Sequence, residues 1–454
     1  MDFRETNLEQ ALIKNLESLG YTTLTSIQEL SLEYSLNQKD IIALAKTGSG
    51  KTLAFSLAIA NNLNQNLFRV QTLILAPTRE LANQISNELR AVLRHIPNIK
   101  VLTLCGGVPF NPQALSLKHQ AHIVVGTTGR VLKHIKEKNL NLENISTFVL
   151  DEADKMLDMG FYDDIIEIAE KLPKNRQTML FSATYEKNIE SLANTLLNKP
   201  KFIEVKNEEK NLIKQLFYNI KNLDKMSLIK PIIKQNEAKT TIIFCNQKST
   251  CEKLADFLYD DGLDILTLHS DLDQRQRDET LTLFSNKSYP ILIASDVASR
   301  GLDIDSVDLV INYDLALNEK IHTHRIGRTA RAGKGGVAVS LYEDNELNRV
   351  LEIKEIFQDI LFCEIETLNK ESNFKIDSDF RTICINAGKK QKLRKLDIVG
   401  VLTSAIGLDK NDIGKIDIFD FSSFVAIREE KLFLVLTKLN KTKIKGKFYK
   451  IYEK

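Results

Sequence analysis

The chain has 454 residues, of which 43% are hydrophobic and 27% charged, and its formal net charge is +2 at pH 7. This composition is typical of a globular protein and excludes a wholly disordered chain. No apolar run approaches the ~20 residues that span a bilayer, and the charged first residues lack the apolar segment of a secretion signal. We therefore expect a cytoplasmic protein of roughly three domains without membrane association.

The five cysteines are scattered along the chain and include no Cys-x-x-Cys pair. This arrangement excludes a disulfide scaffold and a zinc module, and it indicates reduced thiols inside a cell.

Charge is distributed unevenly along the chain. Residues 377–454 contain 17 Lys and Arg against 10 Asp and Glu, whereas the rest of the chain contains 45 against 50. A basic end on an acidic body indicates that an anionic polymer binds near the C-terminus. On charge alone, a solvated basic face without a ligand is equally compatible.

Short apolar runs alternate with amphipathic helical patterns, such as 53–63 and 80–93, in the first half of the chain. The predicted strands are 41–45, 70–76, 101–105, 122–126, 147–150 and 178–182, and a second set follows at 240–245, 265–268, 290–295, 308–312 and 336–341. Apolar strands separated by helices are typical of a doubly wound parallel sheet. The sequence therefore predicts two α/β domains in tandem, at 1–206 and 212–368, joined by a polar linker at 206–211.

After a second linker at 369–378, the order of the predicted elements changes. The sequence there predicts a strand, a helix, two strands, a helix and a strand, at 381–387, 395–406, 413–419, 424–428, 429–440 and 447–452. This βαββαβ order fits a small α+β domain at 379–454, with the layout of RNA-recognition (RRM-like) modules.

A glycine-rich segment follows the first strand and opens a helix, which is the context in which backbone N–H groups bind phosphates. We expect Lys51 to reach the β and γ phosphates and Thr52 to ligate Mg²⁺. The generic pattern begins with glycine, and here that position is alanine. The residues expected around the nucleotide phosphates are Ala45, Thr47, Gly48, Ser49, Gly50, Lys51 and Thr52.

An acidic tetrapeptide, 151–154, follows the strand at 147–150. Carboxylates at the carboxyl end of a parallel strand point into the ligand crevice. We expect Asp151 to hold Mg²⁺, partly through water, and Glu152 to polarise the attacking water. Alone, such a segment is usually a solvated loop, but the phosphate loop in the same domain favours a catalytic site.

The Asp-Glu-Ala-Asp segment at 151–154 and the Ala-Lys-Thr-Gly-Ser-Gly-Lys-Thr segment at 45–52 together resemble the DEAD-box ATP-dependent RNA helicases. Other motifs of that family occur in order, at 20–28, 77–82, 106–107, 127–130, 182–184, 243–246, 274–277, 294–303 and 324–333. The resemblance covers about residues 1–365. It implies two tandem RecA-like domains, with ATP, Mg²⁺ and RNA as ligands.

The resemblance also implies roles around the nucleotide. Gln28 carries the donor and the acceptor that an adenine edge requires, and Tyr21 offers a flat face for stacking, although core packing is the alternative for this tyrosine. Asp303 would contact the ribose. Arg328 and Arg331 would act as arginine fingers, with Lys51, Asp151 and Glu152 as the other catalytic residues.

A further set of residues matches the motifs that contact RNA in this family. These residues are Thr78, Arg79, Gly107, Thr127, Arg130, Arg277 and Ser295. Because backbone contacts position a strand without reading its sequence, we expect little sequence preference from the two core domains. Three positions depart from the common family pattern, namely Thr128, Ser295 and Ala330.

The C-terminal residues 385–390, 396–400, 412–416 and 443–447 resemble the RNA-binding tail of the DbpA branch of this family. That resemblance implies a structured target in large-subunit (23S) rRNA and a role in bacterial ribosome assembly. The sheet is a poor base-stacking platform, since Cys384 occupies a common aromatic position. The basic cluster of Lys389, Lys390 and Lys392 is the better candidate, with solubility charge and a protein-binding sheet as the alternative.

We therefore expect an RNA-stimulated ATPase that locally unwinds or remodels rRNA, acts as a monomer, and binds neither DNA nor membranes. A general RNA helicase or an ATP-dependent RNA clamp, without rRNA specificity, is the main alternative. A processive DNA-directed motor is a further alternative, which the Gln28 motif disfavours.

Overall fold

The computed structural model describes residues 1–45, 48–205, 213–221, 223–296, 307–330, 335–357, 359–368, 376 and 378–454. The described residues up to 205 form one compact unit, and those from 213 onward form a second. Within these ranges, no helix is long and apolar enough to cross a membrane. Both predicted linkers lie largely outside the described residues, and so do Thr47, Asp303 and Arg331.

The first unit is built on a parallel sheet of seven strands in the order β3-β4-β2-β5-β6-β1-β7. The strands are β1 Ile41–Leu44, β2 Thr72–Ala76, β3 Val101–Leu104, β4 Ile123–Thr127, β5 Thr147–Leu150, β6 Gln177–Ser182 and β7 Lys201–Glu204. The helices are α1 Gln10–Ser18, α2 Ser26–Leu36, α3 Lys51–Asn62, α4 Arg79–Val92, α5 Phe110–Lys118, α6 Thr128–Lys136, α7 Ala153–Asp158, α8 Tyr162–Glu170 and α9 Lys187–Leu196.

Alternate residues of each central strand enter two different cores. Ile74 of β2 packs in one cluster, whereas its neighbours Leu73 and Leu75 pack in the other. Both faces of the sheet are therefore covered, which explains why these strands read as continuous apolar runs rather than as alternating ones.

The second unit repeats this architecture with the strand order β10-β11-β9-β12-β13-β8-β14, again parallel. Its strands are β8 Ile213–Asn219, β9 Thr241–Cys245, β10 Ile265–Leu268, β11 Ile291–Ser295, β12 Leu309–Asn312, β13 Gly336–Tyr342 and β14 Ile360–Cys363. Its helices are α10 Ile229–Gln235, α11 Lys248–Asp260, α12 Gln274–Ser285, α13 Glu319–Ile326 and α14 Leu347–Ile356. The prediction of two doubly wound parallel sheets is confirmed.

The C-terminal residues form a four-stranded antiparallel sheet in the order β16-β17-β15-β18, as the βαββαβ prediction requires. Its elements are β15 Phe380–Ile385, α15 Lys395–Gly400, β16 Ile413–Ile418, β17 Ser423–Arg428, α16 Glu429–Leu439 and β18 Ile451–Glu453, and a π-helical segment, Val401–Ile406, extends α15. The last strand is shorter than predicted, because Ile444 and Lys447 pair with each other in a turn before it.

One face of the C-terminal sheet packs against the second parallel-sheet domain. Cys384 and Phe424 of the small sheet lie in one buried cluster with Leu283 of α12, and the first two are only 2% and 5% exposed. The face on which ordinary RNA-recognition modules stack bases is therefore covered by protein. The sheet acts as a protein-binding surface, which was part of the alternative interpretation of the tail.

Buried hydrogen bonds fix this contact. Thr382 Oγ1 accepts a bond from Asn286 Nδ2 at 2.7 Å and lies 2.7 Å from Ser288 Oγ. At the rim, Arg381 Nη1 donates to Asp264 Oδ2 at 2.8 Å. The contact thus has an apolar centre, a buried and hydrogen-bonded hydroxyl group beside it, and an ion pair at its edge.

Thr382→Val should lower the free energy of unfolding of the second unit by about 1–3 kcal/mol. Valine keeps the shape of threonine but leaves Asn286 and Ser288 without this buried partner. Urea unfolding of the full chain measures the effect. Thr403→Val is the control, because the Thr403 hydroxyl bonds to its own helix, and it should change stability by less than about 0.5 kcal/mol. Equal losses in the two variants would contradict the prediction.

Candidate functional site

The glycine-rich loop that is predicted to bind phosphates lies between β1 and α3. Gly48 and Gly50 adopt φ angles of 85° and 91°, a left-handed conformation that favours glycine. Lys51 begins α3, is 6% exposed, and donates from Nζ to the carbonyl oxygen of Ala45 at 2.8 Å. Ser49 Oγ is buried and finds no hydrogen-bond partner among the described residues. A lysine held at the loop and an unsatisfied hydroxyl fit a phosphate ligand.

The segment around Gln28 is bonded to this loop. Gln28 Nε2 donates to the carbonyl oxygen of Gly50 at 3.0 Å, and Thr25 Oγ1 donates to that of Ser49 at 2.8 Å. A Cβ atom at Gly50 would lie 2.5 Å from Gln28 Nε2, so glycine is required for this approach. Gln28 Oε1 accepts from the Thr25 backbone, so both ends of the amide have partners within the chain.

Tyr21 is 38% exposed, and together with Asn83 and Asn87 of α4 it lines a cavity. Burial and, to a smaller degree, the nearby Glu88 carboxylate raise the pKa of its hydroxyl. The exposed ring is available for stacking, and its role toward adenine stays a prediction.

Asp151 and Glu152 follow β5 and are both buried. Burial raises the pKa of the Asp151 carboxyl to about 6, although the charge of Lys51 opposes the shift. Glu152 lies in the left-handed region, with φ 52° and ψ 50°, and its Oε1 accepts from Lys155 Nζ at 2.7 Å in a buried ion pair. The sequence analysis did not identify Lys155, although its spacing of three residues from Glu152 in a helical turn was a usable signal.

Asp154 links the acidic segment to the segment after β6. Its Oδ2 atom accepts a bond from the backbone N–H of Ala183 at 3.3 Å, and Thr184 N donates to Ser182 Oγ at 3.3 Å. A hydrogen bond therefore connects the acidic segment to the segment after β6.

Four of the residues expected to bind RNA in the first unit lie at the start of two helices, and Gly107 lies in a turn. Thr78 caps α4 by accepting from Leu81 N at 3.3 Å, and Thr127 precedes α6. Gly107 has φ 69°, and a Cβ atom there would lie 1.6 Å from Arg79 Nη1. A side chain at this position would therefore displace the Arg79 guanidinium, and the positive φ would add strain.

In the second unit, Arg328 is 5% exposed, Ser295 ends β11, and Arg277 lies in the first turn of α12. The sequence analysis did not single out Arg325, which is 1% exposed and forms a bidentate pair with Asp296, both bonds being 2.7 Å long. Its remaining donors reach other segments of the domain, at Asn246 Oδ1, Asn312 Oδ1 and the carbonyl oxygen of Asp314.

The C-terminal lysines form one exposed basic surface. Lys389, Lys390 and Lys392 lie in and after a short turn that is bonded to the loop after β16. Lys445 Nζ donates to the carbonyl oxygen of Lys392 at 2.9 Å, and this bond brings the turn at 443–447 beside the cluster. Lys443 and Lys447 are also exposed. The structure therefore brings the two basic segments of the tail, 389–392 and 443–447, side by side.

Comparison with known proteins agrees with these motifs. Residues 25–192 match the DEAD/DEAH box helicase family model, 224–333 the helicase conserved C-terminal domain, and 382–453 the DbpA RNA binding domain. The chain is 42% identical to the ATP-dependent RNA helicase DbpA of Escherichia coli (strain K12), over 97% of this chain and 96% of that protein. The chain belongs to the DEAD-box ATP-dependent RNA helicase family.

A second relative, the ATP-dependent RNA helicase DbpA of Bacillus subtilis (strain 168), is 35% identical over 99% of this chain and 98% of its own. Among solved structures, S. cerevisiae Dbp5 bound to RNA and ADP BeF3 matches with a TM-score of 0.72 and 31% identity, covering 80% of this chain and 96% of that one. The protein is thus an ATP-hydrolysing RNA helicase with two RecA-like domains and a DbpA-type RNA-binding domain.

Asp151→Asn should stabilise the ligand-free helicase at pH 7. Because the pKa of this carboxyl is raised to about 6 from 3.8, the folded protein keeps a proton between about pH 4 and 6 that the unfolded chain has released. The contribution of this carboxyl to stability therefore falls as the pH rises through this window, by about 3 kcal/mol.

Urea unfolding from pH 4 to 8 checks this expectation. The asparagine variant should lack this fall and be the more stable protein above pH 6. Asp158→Asn changes an exposed carboxylate seven residues further along the chain, at the end of α7, and should follow the natural profile. Parallel profiles for the natural chain and Asp151→Asn would show that the buried carboxyl is not shifted.

Proposed function

We propose that this helicase hydrolyses Mg²⁺–ATP at the loop between β1 and α3 and remodels large-subunit rRNA, to which its C-terminal domain directs it. The observation that supports the target most directly is the match of residues 382–453 to the DbpA RNA binding domain, together with the basic surface described above. The domain limits 1–206, 212–368 and 379–454 are part of the proposal, as are a monomeric state, a cytoplasmic location and a role in bacterial ribosome assembly.

The residues at the nucleotide site fit the proposed cofactors. Gly48, Gly50 and Lys51 offer N–H donors and a positive charge to phosphates, while the Thr52 hydroxyl and the Asp151 carboxylate are the oxygen ligands that Mg²⁺ prefers. When bound, Mg²⁺ neutralises phosphate charge. Ionised Asp151 suits this role, and a bound cation would favour its charged form despite burial.

Glu152 is the proposed base that orients the attacking water. Its carboxylate is held by Lys155 at 2.7 Å, which fixes its direction. Tyr21 and Gln28 are proposed to bind the adenine, and the resemblance assigns Asp303 to the ribose and Arg328 and Arg331 to the transition-state charge. Thr78, Arg79, Gly107, Thr127, Arg130, Arg277 and Ser295 keep their proposed contacts with RNA.

Glu152→Gln should keep ATP binding and lower the RNA-stimulated turnover at least about 100-fold, because the amide cannot accept a proton from water. Nucleotide binding by fluorescence titration and turnover by phosphate release measure the two effects. Glu170→Gln, at an exposed position of α8, controls for the loss of a carboxylate and should keep full turnover. Normal turnover in Glu152→Gln would remove Glu152 from this role.

The rRNA target is tested by steady-state ATPase assays with three activators: large-subunit rRNA, an unrelated RNA of equal length, and DNA. We expect strong stimulation by the rRNA alone. Equal stimulation by both RNAs would support a general helicase instead, and stimulation by DNA would contradict the proposal. Absence of stimulation, with single-turnover hydrolysis abolished, would favour an RNA clamp.

Replacing Lys389, Lys390 and Lys392 together with alanine should weaken binding of the rRNA activator and lower the slope of its salt dependence by up to about 3, since each lysine lost removes one phosphate contact. Binding titrations at several salt concentrations measure the slope. The matched control replaces Lys410, Lys431 and Lys438, which lie elsewhere in the same domain. Equal effects of the two triple variants would show that the RNA surface is not localised at the cluster.

A further inference from the structure

Gln113 of α5 is a buried amide at the centre of a hydrogen-bond network around Arg130. Its carbonyl oxygen accepts a bond from Arg130 Nη1 at 2.9 Å and lies 3.1 Å from His134 Nε2. Its amide nitrogen donates to the carbonyl oxygen of Cys105 at 3.0 Å. Because that bond fixes which end of the amide faces Arg130, the carbonyl oxygen is held as an acceptor for the guanidinium.

The state of His134 agrees with this arrangement. The ring is fully buried, and burial, followed by the charges of Arg130 and Lys133, lowers its pKa to about 4. The imidazole is therefore neutral at pH 7. Since its Nε2 faces a carbonyl oxygen, the single ring proton lies on Nε2 and is donated to Gln113.

Phe110 closes the network from one side. Its ring stacks on that of His134, with centroids 4.1 Å apart and an interplanar angle of 9°. The Arg130 guanidinium carbon lies 5.7 Å from the centre of the Phe110 ring, and Lys133 Nζ lies 4.9 Å from it. The aromatic face thus attracts the two cations and restricts where the Arg130 side chain can move.

Within the described part of the chain, Arg130 makes two hydrogen bonds, both through one nitrogen. Nη1 donates to Gln113 and also to the carbonyl oxygen of Val108 at 3.0 Å. The Nε and Nη2 hydrogens on the other edge of the guanidinium are therefore the ones that a phosphate can meet, in the planar geometry that suits bidentate binding. Gln113 and His134 are 8% and 0% exposed, so neither reaches a polymer on the surface.

We propose that Phe110, Gln113 and His134 are positioning residues that hold Arg130 in one orientation for the RNA backbone. They set the affinity for RNA without touching RNA or nucleotide. The inference rests on the proposed RNA contact of Arg130. A long side chain that is already held loses less rotamer freedom on binding, so releasing it should weaken RNA binding about 3- to 10-fold.

The test uses the full chain with Gln113→Met, which keeps the length of the side chain and removes the acceptor. In RNA-stimulated ATPase assays the apparent KM for RNA should rise about 3- to 10-fold, whereas kcat at saturating RNA and the ATPase rate without RNA should stay within about twofold. His134→Gln, which keeps a donor for Gln113, should stay close to the natural chain, and His134→Leu should behave like Gln113→Met. If Gln113→Met does not fold, Phe110→Leu, at a half-buried position, takes its place.

A double-mutant cycle separates positioning from a general structural role. Arg130→Ala should raise the KM for RNA, and adding Gln113→Met to it should raise the KM less than about twofold further, because Gln113 acts through Arg130. If the two substitutions instead raise the KM for RNA by independent factors that multiply, the inference is overturned. An unchanged KM in Gln113→Met alone would also overturn it. An unchanged KM in Arg130→Ala would instead overturn the proposed RNA contact of Arg130 and, with it, this inference.

Discussion

Parallel pairing of β1, β6 and β5 is the constraint on which the nucleotide site depends. Leu44 of β1 is in register with Ser182 of β6, and Leu180 of β6 with Leu150 of β5. All three strands therefore end at the same edge of the sheet, and the phosphate loop, the acidic pair and the segment after β6 begin there. Residues more than a hundred positions apart in the chain meet because three short apolar strands share one register.

Assembling charges at such an edge costs stability. Lys51, Asp151 and Glu152 are all less than 7% exposed, and a buried carboxylate is stable only where hydrogen bonds or opposite charge support it. Glu152 has Lys155, while Asp151 keeps a raised pKa even beside Lys51. Without a ligand, the charged groups of the site are thus less fully compensated than the charged groups around them. Such a loss of stability is usual where function requires it.

Much of this arrangement follows from the sequence. Strands buried on both faces, such as β2 and β4, were predicted because each contains a continuous apolar run. The strands β7, β8 and β14 were not predicted, since they pair near one edge of their sheets and contain polar or exposed residues, as in Lys201–Glu204. The last strand was predicted to begin at 447, but Lys447 pairs with Ile444 in a turn and the strand begins at Ile451.

The partners of the predicted site residues were harder to foresee. The resemblance predicts that Gly107 binds RNA. The close approach of Arg79 to this glycine is a contact between distant parts of the chain, which the sequence pattern does not show. Likewise Arg325 lies within a recognised motif, yet its bonds to Asp296 and Asn246 depend on where three loops meet. The local sequence pattern predicts which residues form the candidate site, whereas long-range packing determines which partners hold those residues in place.

The covered face of the C-terminal sheet affects how separable the domains are. Thr382, Cys384 and Phe424 need Asn286, Ser288 and Leu283 as counterparts. A chimera that transferred residues 379–454 to another helicase would bring the basic surface but leave an apolar face uncovered and the orientation unspecified. Transferring this domain to another helicase would therefore require transplanting the end of α12 and the turn after it as well.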